Sequence, residues 1–396
     1  MIQSMATISR RDIGRLALHS AVWTLASALS ATFSAVYLLR AGLSPAQIFL
    51  SFAAILALRF VMRPVVLYAG PAMGLRRAFI LGAVFFALSW PALALVHGIG
   101  PGLALFVVLS SLGQVFYCTC YHVFFTALGD SGRRGTQVGL FQAFATLAAV
   151  AGPAVGGFLL ATRGPWLTFG VAFLIAMAAI VPLLRIAEPP IVREKPDGAY
   201  AAAKRGVKLY FADGWIQVGL TVAWSIVLFQ ALHDRYDSFG GTLSLAALAG
   251  ALGGIVLGRL IDKGHGRSAV WINAAILAIV IVLRAATFGN AAAAVAVAIV
   301  TTMIGGFYLP SWMTAAYNEA TIAPCTFRFQ FAAEGGWDAG GACAGLIAAA
   351  FCALGLPVDA AILLTLPMIA VQAALLDRSY ADRAASLRAT GLSAAA

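Results

Sequence analysis

Four ionisable residues stand inside stretches that are otherwise apolar: Arg59 and Arg63 in one, Glu334 and Asp338 in another. A charge at a bilayer centre costs roughly 2.5–3.5 kcal/mol even on insertion scales, so such residues are kept for a partner or a task. Each pair is spaced by four, which on a helix puts both side chains on one face. Two cations opposite two carboxylates make a lock that a proton can loosen. A third embedded cation, Arg284, has no acid in its own stretch and can snorkel outward.

Composition dictates the elements that must hold them. Of 396 residues, 62% are hydrophobic and 10% charged, against roughly 25% charged in soluble domains. A surface so poor in charge faces lipid, and about 20 apolar residues cross its core as a helix. We place spans at 15–39, 46–70, 78–97, 102–128, 136–161, 165–186, 213–234, 239–260, 268–288, 291–317, 330–354 and 358–376. The single long polar segment, 187–212, carries Pro189, Pro190, Pro196 and most of the linking charge. The expected organisation is therefore a short N-terminus (1–14), six spans (15–186), a linker (187–212), six spans (213–376) and a tail (377–396). This is an all-α polytopic membrane protein with 12 transmembrane helices in two pseudo-symmetric six-helix bundles.

Of the 26 lysines and arginines, only Arg40, Arg163 and Arg235 fall in the loops opposite the linker, and Arg59, Arg63 and Arg284 lie within spans. The rest share the linker side, so the positive-inside rule puts both termini in the cytoplasm of a bacterial-type inner membrane. Arg10 and Arg11 before an apolar run imitate a secretion signal, but the run from Leu16 to Leu39 is long enough to span. The net charge of +11 lacks the basic, aromatic-interleaved stripe of a nucleic-acid surface. The five cysteines sit mostly in apolar stretches without metal spacing; Cys118 and His122, four apart, read as packing groups. No nucleophile elbow, zinc-protease motif or Gly-Lys dipeptide occurs, so enzymatic chemistry, a cofactor and a metal are not expected.

The halves resemble one another. Gly74-Leu75-Arg76-Arg77 recurs as Gly264-His265-Gly266-Arg267, and Arg134 corresponds to Arg328, at offsets of 190–194 residues. Two similar bundles about an axis normal to the membrane are a transporter architecture. The stretch Gly258 to Arg267, with Asp262, is similar to the cytoplasmic loop motif of the major facilitator superfamily. Gly139, Ala148, Gly152-Pro153 and Gly156-Gly157 in span 5 match the spacing of its antiporter motif, where small residues permit close helix approach. The chain resembles that family over essentially its whole length, closest in motif to proton-coupled bacterial members. It departs from the pattern at Pro71 and Ala72, where an acid and an arginine belong, and in span 4, which lacks the proton-transfer arginine.

The resemblance implies that spans 1, 4, 7 and 10 line a central cavity and that spans 2 and 11 are neighbours. The cavity-lining candidates are then Gln114, Tyr117, Tyr121 and His122; Gln217, Thr221 and Trp224; and Tyr308, Trp312 and Glu319. Aromatic and amide groups with few charges suit an amphiphilic or aromatic organic solute. His19 is read as a packing residue. Counting residues at 1.5 Å each predicts the pairs Arg63–Glu334 and Arg59–Asp338 with a depth mismatch of roughly 3 Å. Asp262 is expected to latch onto the start of span 5, near Arg133 and Arg134. The expected function is proton-coupled transport by a monomer; a transporter-shaped sensor or assembly factor is the alternative.

Overall fold

The computed structural model describes residues 10–128, 134–189, 196–261, 266–305 and 308–389, with 10, 128, 134–145, 252–261, 266–269, 305, 309–311, 314 and 383–389 as backbone only. The described residues contain helices and no strand. In chain order the helices are α1 (Arg11–Arg40), α2 (Pro45–Met73), α3 (Leu75–Leu93), α4 (Pro101–Leu128), α5 (Arg134–Arg163), α6 (Pro165–Arg185) and α7 (Lys204–Ala231). There follow α8 (Tyr236–Ile261), α9 (Gly266–Ala285), α10 (Ala291–Gly305), α11 (Tyr308–Ile322), α12 (Thr326–Ala353) and α13 (Val358–Asp382). Nine helices among the described residues are long and apolar enough to cross a membrane, by length and composition. This is a multi-pass membrane protein.

Local chemistry marks the helix ends. Pro45, Pro101 and Pro165 each open a helix, where a missing N–H costs nothing. At α2 a capping box precedes the proline: the Gln47 N–H donates to Ser44 Oγ at 3.3 Å, and the Ser44 N–H to Gln47 Oε1 at 2.9 Å. α2 and α3 are joined by Gly74 alone, at φ +91°, a conformation a side chain would strain. α7 starts at Lys204, nine residues before the expected span, so what reads as the end of the linker is already helix. Its charged first turns end the apolar count at Asp213 without ending the backbone hydrogen bonding.

Close packing follows the small residues. α2 lies along α12, α12 along α7, and α5 along α8. A Cβ on Gly336 would strike the Val207 carbonyl, and one on Gly340 the Phe211 carbonyl, so that face of α12 rests directly on the α7 backbone. The neighbouring face turns Gly341 toward Leu56 and Gly345 toward Ala53 of α2, the latter at 3.1 Å. The glycines of span 5 divide their work: Gly152 and Gly156 press on Ala28 and Leu29 of α1, whereas Gly157 meets Gly240 of α8. Gly139 lies where only the backbone is described. Next to the Gly157–Gly240 contact, Phe33, Phe229, Tyr236 and Phe239 pack ring to ring with centroids 5.3–6.5 Å apart, closing α1, α7 and α8 together.

Candidate functional site

The α2–α12 seam brings four charges to one point near the middle of both helices. Arg59, Arg63, Glu334 and Asp338 are all buried, none more than 4% exposed. The spacing-based pairs are both present, Arg59–Asp338 at 3.0 Å and Arg63–Glu334 at 3.5 Å. So are the crossed ones: Arg59–Glu334 at 3.3 Å, and Arg63 with Asp338, which makes the tightest, two-point contact, Nε donating at 2.6 Å. The members of each pair stand just over one helical turn apart, so the long side chains collect into one cluster rather than two rungs.

Helix α4 completes the shell. Arg59 donates to Gln114 at 2.9 Å and Arg63 to Thr119 at 3.3 Å. His122 Nε2 stands 3.2 Å from Glu334, and its Nδ1 is 2.6 Å from the Tyr317 hydroxyl of α11. A carboxylate can only accept, so Nε2 is the protonated nitrogen. The guanidinium of Arg59 also lies over the Trp337 ring, 5.2 Å from its centroid. Trp337 stands between Glu334 and Asp338 in sequence, and that position was its signal.

Other sequence candidates go elsewhere. Tyr117 and Tyr121 stack parallel and pack with Trp23, Phe79 and His19 between α1, α3 and α4. His19 is fully buried there, its Nδ1 donating to the Ala179 carbonyl at 2.8 Å and its Nε2 3.0 Å from the Tyr117 hydroxyl. Trp312 packs edge-on against Tyr210, and Thr221 is exposed with its hydroxyl turned back to the Gln217 carbonyl. Glu319 is held by Ser379 and Arg205, near the start of α7, away from Tyr308. Asp262 and Arg133 lie outside the described residues.

A buried acid that hydropathy placed at a span boundary joins this region. Asp213 of α7 is 3% exposed and accepts three hydrogen bonds: Tyr308 hydroxyl at 2.7 Å, Trp337 Nε1 at 2.8 Å and Gln217 Nε2 at 3.3 Å. Tyr308 and Gln217, sequence candidates, thus meet around a carboxylate, and Trp337 bridges it to the charge cluster.

Arg284 of α9 points inward, not outward. It donates to the Leu220 carbonyl at 3.0 Å and to Thr301 at 3.3 Å, with its guanidinium 4.8 Å from the Trp224 ring centroid. Leu220 lies in a π-helical turn, Val218–Ala223, whose altered ladder can present a carbonyl to a side-chain donor. No carboxylate lies within 4.0 Å of Arg284 among the described residues. Arg284→Met strands no opposite charge, so it will lower the thermal stability of purified protein less than Arg59→Met does. An equal or larger loss for Arg284→Met would contradict this electrostatic account.

The sequence pattern of the Major Facilitator Superfamily matches residues 16–323. The chain belongs to that superfamily. Solved transporters share its fold at low identity. The nucleoside transporter NupG is 11% identical with a TM-score of 0.63, covering 93% of this chain and 100% of that one. A POT family transporter in complex with 5-aminolevulinic acid is 13% identical with a TM-score of 0.67, covering 95% and 99%. The E. coli fucose:proton symporter FucP is 16% identical with a TM-score of 0.57, covering 93% and 98%. No curated protein matches the chain by sequence. Within this facilitator chain, the charge cluster joins α2 to α12.

Proposed function

We propose that the protein is a secondary active transporter that moves a small organic, amphiphilic or aromatic solute by alternating access, coupled to protons. The observation that carries this is the buried cluster of two arginines and two acids between α2 and α12. Such a cluster holds two packed bodies together by charge and lets them part when protonation, in it or beside it, loosens its contacts. The aromatic closure of Phe33, Phe229, Tyr236 and Phe239 supports a second contact that opens in exchange. We read the chain as twelve spans in two six-helix bundles, 15–186 and 213–376, joined by a linker, with both termini cytoplasmic in a bacterial-type inner membrane. The positive residues on the linker side support that orientation. The protomer works as a monomer, and Gln114, His122, Gln217, Trp224 and Tyr308 supply the solute's polar and aromatic contacts.

The test has two stages. A thermal-shift screen of metabolites and drugs on purified protein selects a solute that binds. Proteoliposomes with an imposed pH gradient and an internal pH dye then report proton entry when that solute is added. Solute-dependent proton entry, abolished by a protonophore, is the expected result. A solute that binds tightly yet never crosses would favour the alternative reading, a transporter-shaped sensor or assembly factor.

A further inference from the structure

The charge cluster is internally balanced, two cations for two carboxylates, each acid touching both arginines. Asp213 is not. Its three partners, Tyr308, Trp337 and Gln217, are uncharged donors, and no cation lies within 4.0 Å of it among the described residues. The groups that face this region are known from each packed helix. α12 presents Trp337, with Glu334 and Asp338 behind it already ion-paired. α11 presents Tyr308, α13 places Gln372 on the same small cleft as Tyr308, and Tyr210 of α7 lies one turn below and bonds Gln330. Arg59 and Arg63 of α2 and His122 of α4 stand beyond Trp337, engaged by the cluster. Arg205 of α7 is held by Glu319 and Asp382. A carboxylate buried with uncharged partners alone carries an uncompensated charge, which a proton removes at once.

We infer that Asp213 is the carboxyl that takes up and releases a proton in this transporter, and that Trp337 passes its change of charge to the Arg59–Arg63–Glu334–Asp338 cluster. The inference rests on the proton-coupled reading above and names its site. Tyr308, Gln372 and Asn273 put polar groups on a small cleft of about 20 Å³, room for roughly one water, between α9, α11 and α13, and Tyr308 reaches from it to the acid at 2.7 Å. A proton carried in as hydronium, which leaves as water, forms an O–H bond at Asp213 Oδ1 and turns carboxylate into carboxylic acid. Tyr308 can follow, because a phenol both donates and accepts. Trp337 cannot, because an indole N–H only donates. Its bond to Oδ2 changes from charge-assisted to neutral and falls to about half its strength. The indole is then released to turn, and the ring face under Arg59 moves with it. Loss of that face loosens one arginine of the lock, while no member of the lock itself changes charge.

Infrared difference spectroscopy of the full chain in lipid, titrated from alkaline to acid pH, tests this without a known solute. The wild type should develop the C=O stretch of a buried carboxylic acid. Asp213→Asn should lose that band. Asp213→Glu keeps the carboxyl in place and guards against loss of fold; its band should persist at a shifted frequency. Trp337→Phe should retain the band and shift its pH midpoint, since it removes one donor to the carboxylate. A wild-type band unmoved in Asp213→Glu, or no band at all, overturns the inference. So does solute-dependent proton entry that survives in Asp213→Asn proteoliposomes. A wild type that shows the Asp213 band but moves no proton with solute fails differently: it refutes the coupled transport and leaves the protonation site standing.

Discussion

Asp338→Ala will cost about 3–5 kcal/mol of stability, because removing one partner strands a buried charge. Asp338 is fully buried and contacts both guanidiniums, and Arg63 holds it at two points. Glu334 cannot replace it, since one of its oxygens is already directed to His122. The companion variant separates charge from packing. Arg63→Met with Asp338→Leu removes one cation and one anion together, leaving Arg59 with Glu334, and it should recover at least half of the loss. Unfolding of each variant in mixed micelles measures the difference. If the double variant is as unstable as Asp338→Ala, the cluster is held by shape, and charge balance is not what keeps it.

The second large effect comes from backbone contact. Gly336→Leu with Gly340→Leu will leave no monodisperse protein in size-exclusion chromatography. Overpacking a tight site costs about 1–3 kcal/mol where side chains can move aside. Here the obstacles are the carbonyls of Val207 and Phe211, which cannot move without shifting α7. Pushing α12 off α7 also parts Trp337 from Asp213, so the two sites fail together. Gly241→Ala is the matched control, because a Cβ there meets nothing within 4 Å. Normal folding of the double leucine variant would mean that α7 and α12 have more freedom than their contact suggests.

Both results bear on what a chain of this kind declares in its sequence. Helices long and apolar enough to cross a bilayer follow from composition alone, because lipid admits no backbone that leaves its own hydrogen bonds unmade. The suspicion that falls on Arg59, Arg63, Glu334 and Asp338 is equally direct: in an apolar run each charge is costly, and spacing by four fixes a common face. Membership of the superfamily was legible in the Gly258–Arg267 stretch and the glycines of span 5, and the match over residues 16–323 agrees with it.

Partner choice was not legible. Whether Arg63 meets Glu334 or Asp338 depends on side-chain reach across two helices, and arginine and glutamate reach past a full turn, so the rungs merged into a cluster. Asp213 was hidden for a different reason. Hydropathy ends a span where charge begins, and Lys204, Arg205 and Lys208 ended it too early, although hydrogen bonding continues the helix through all three. Tyr117 and Tyr121 have the composition of a binding wall, yet the rotation of α4 turns them into the packing of α1 and α3. Helical periodicity tells which residues share a face, because that is a property of one helix. What that face meets is a property of two. The α2–α12 approach, set by Gly341 and Gly345 against Leu56 and Ala53, decided that four scattered charges became one site, and the contact of α12 with α7 decided that Trp337 would join it to Asp213.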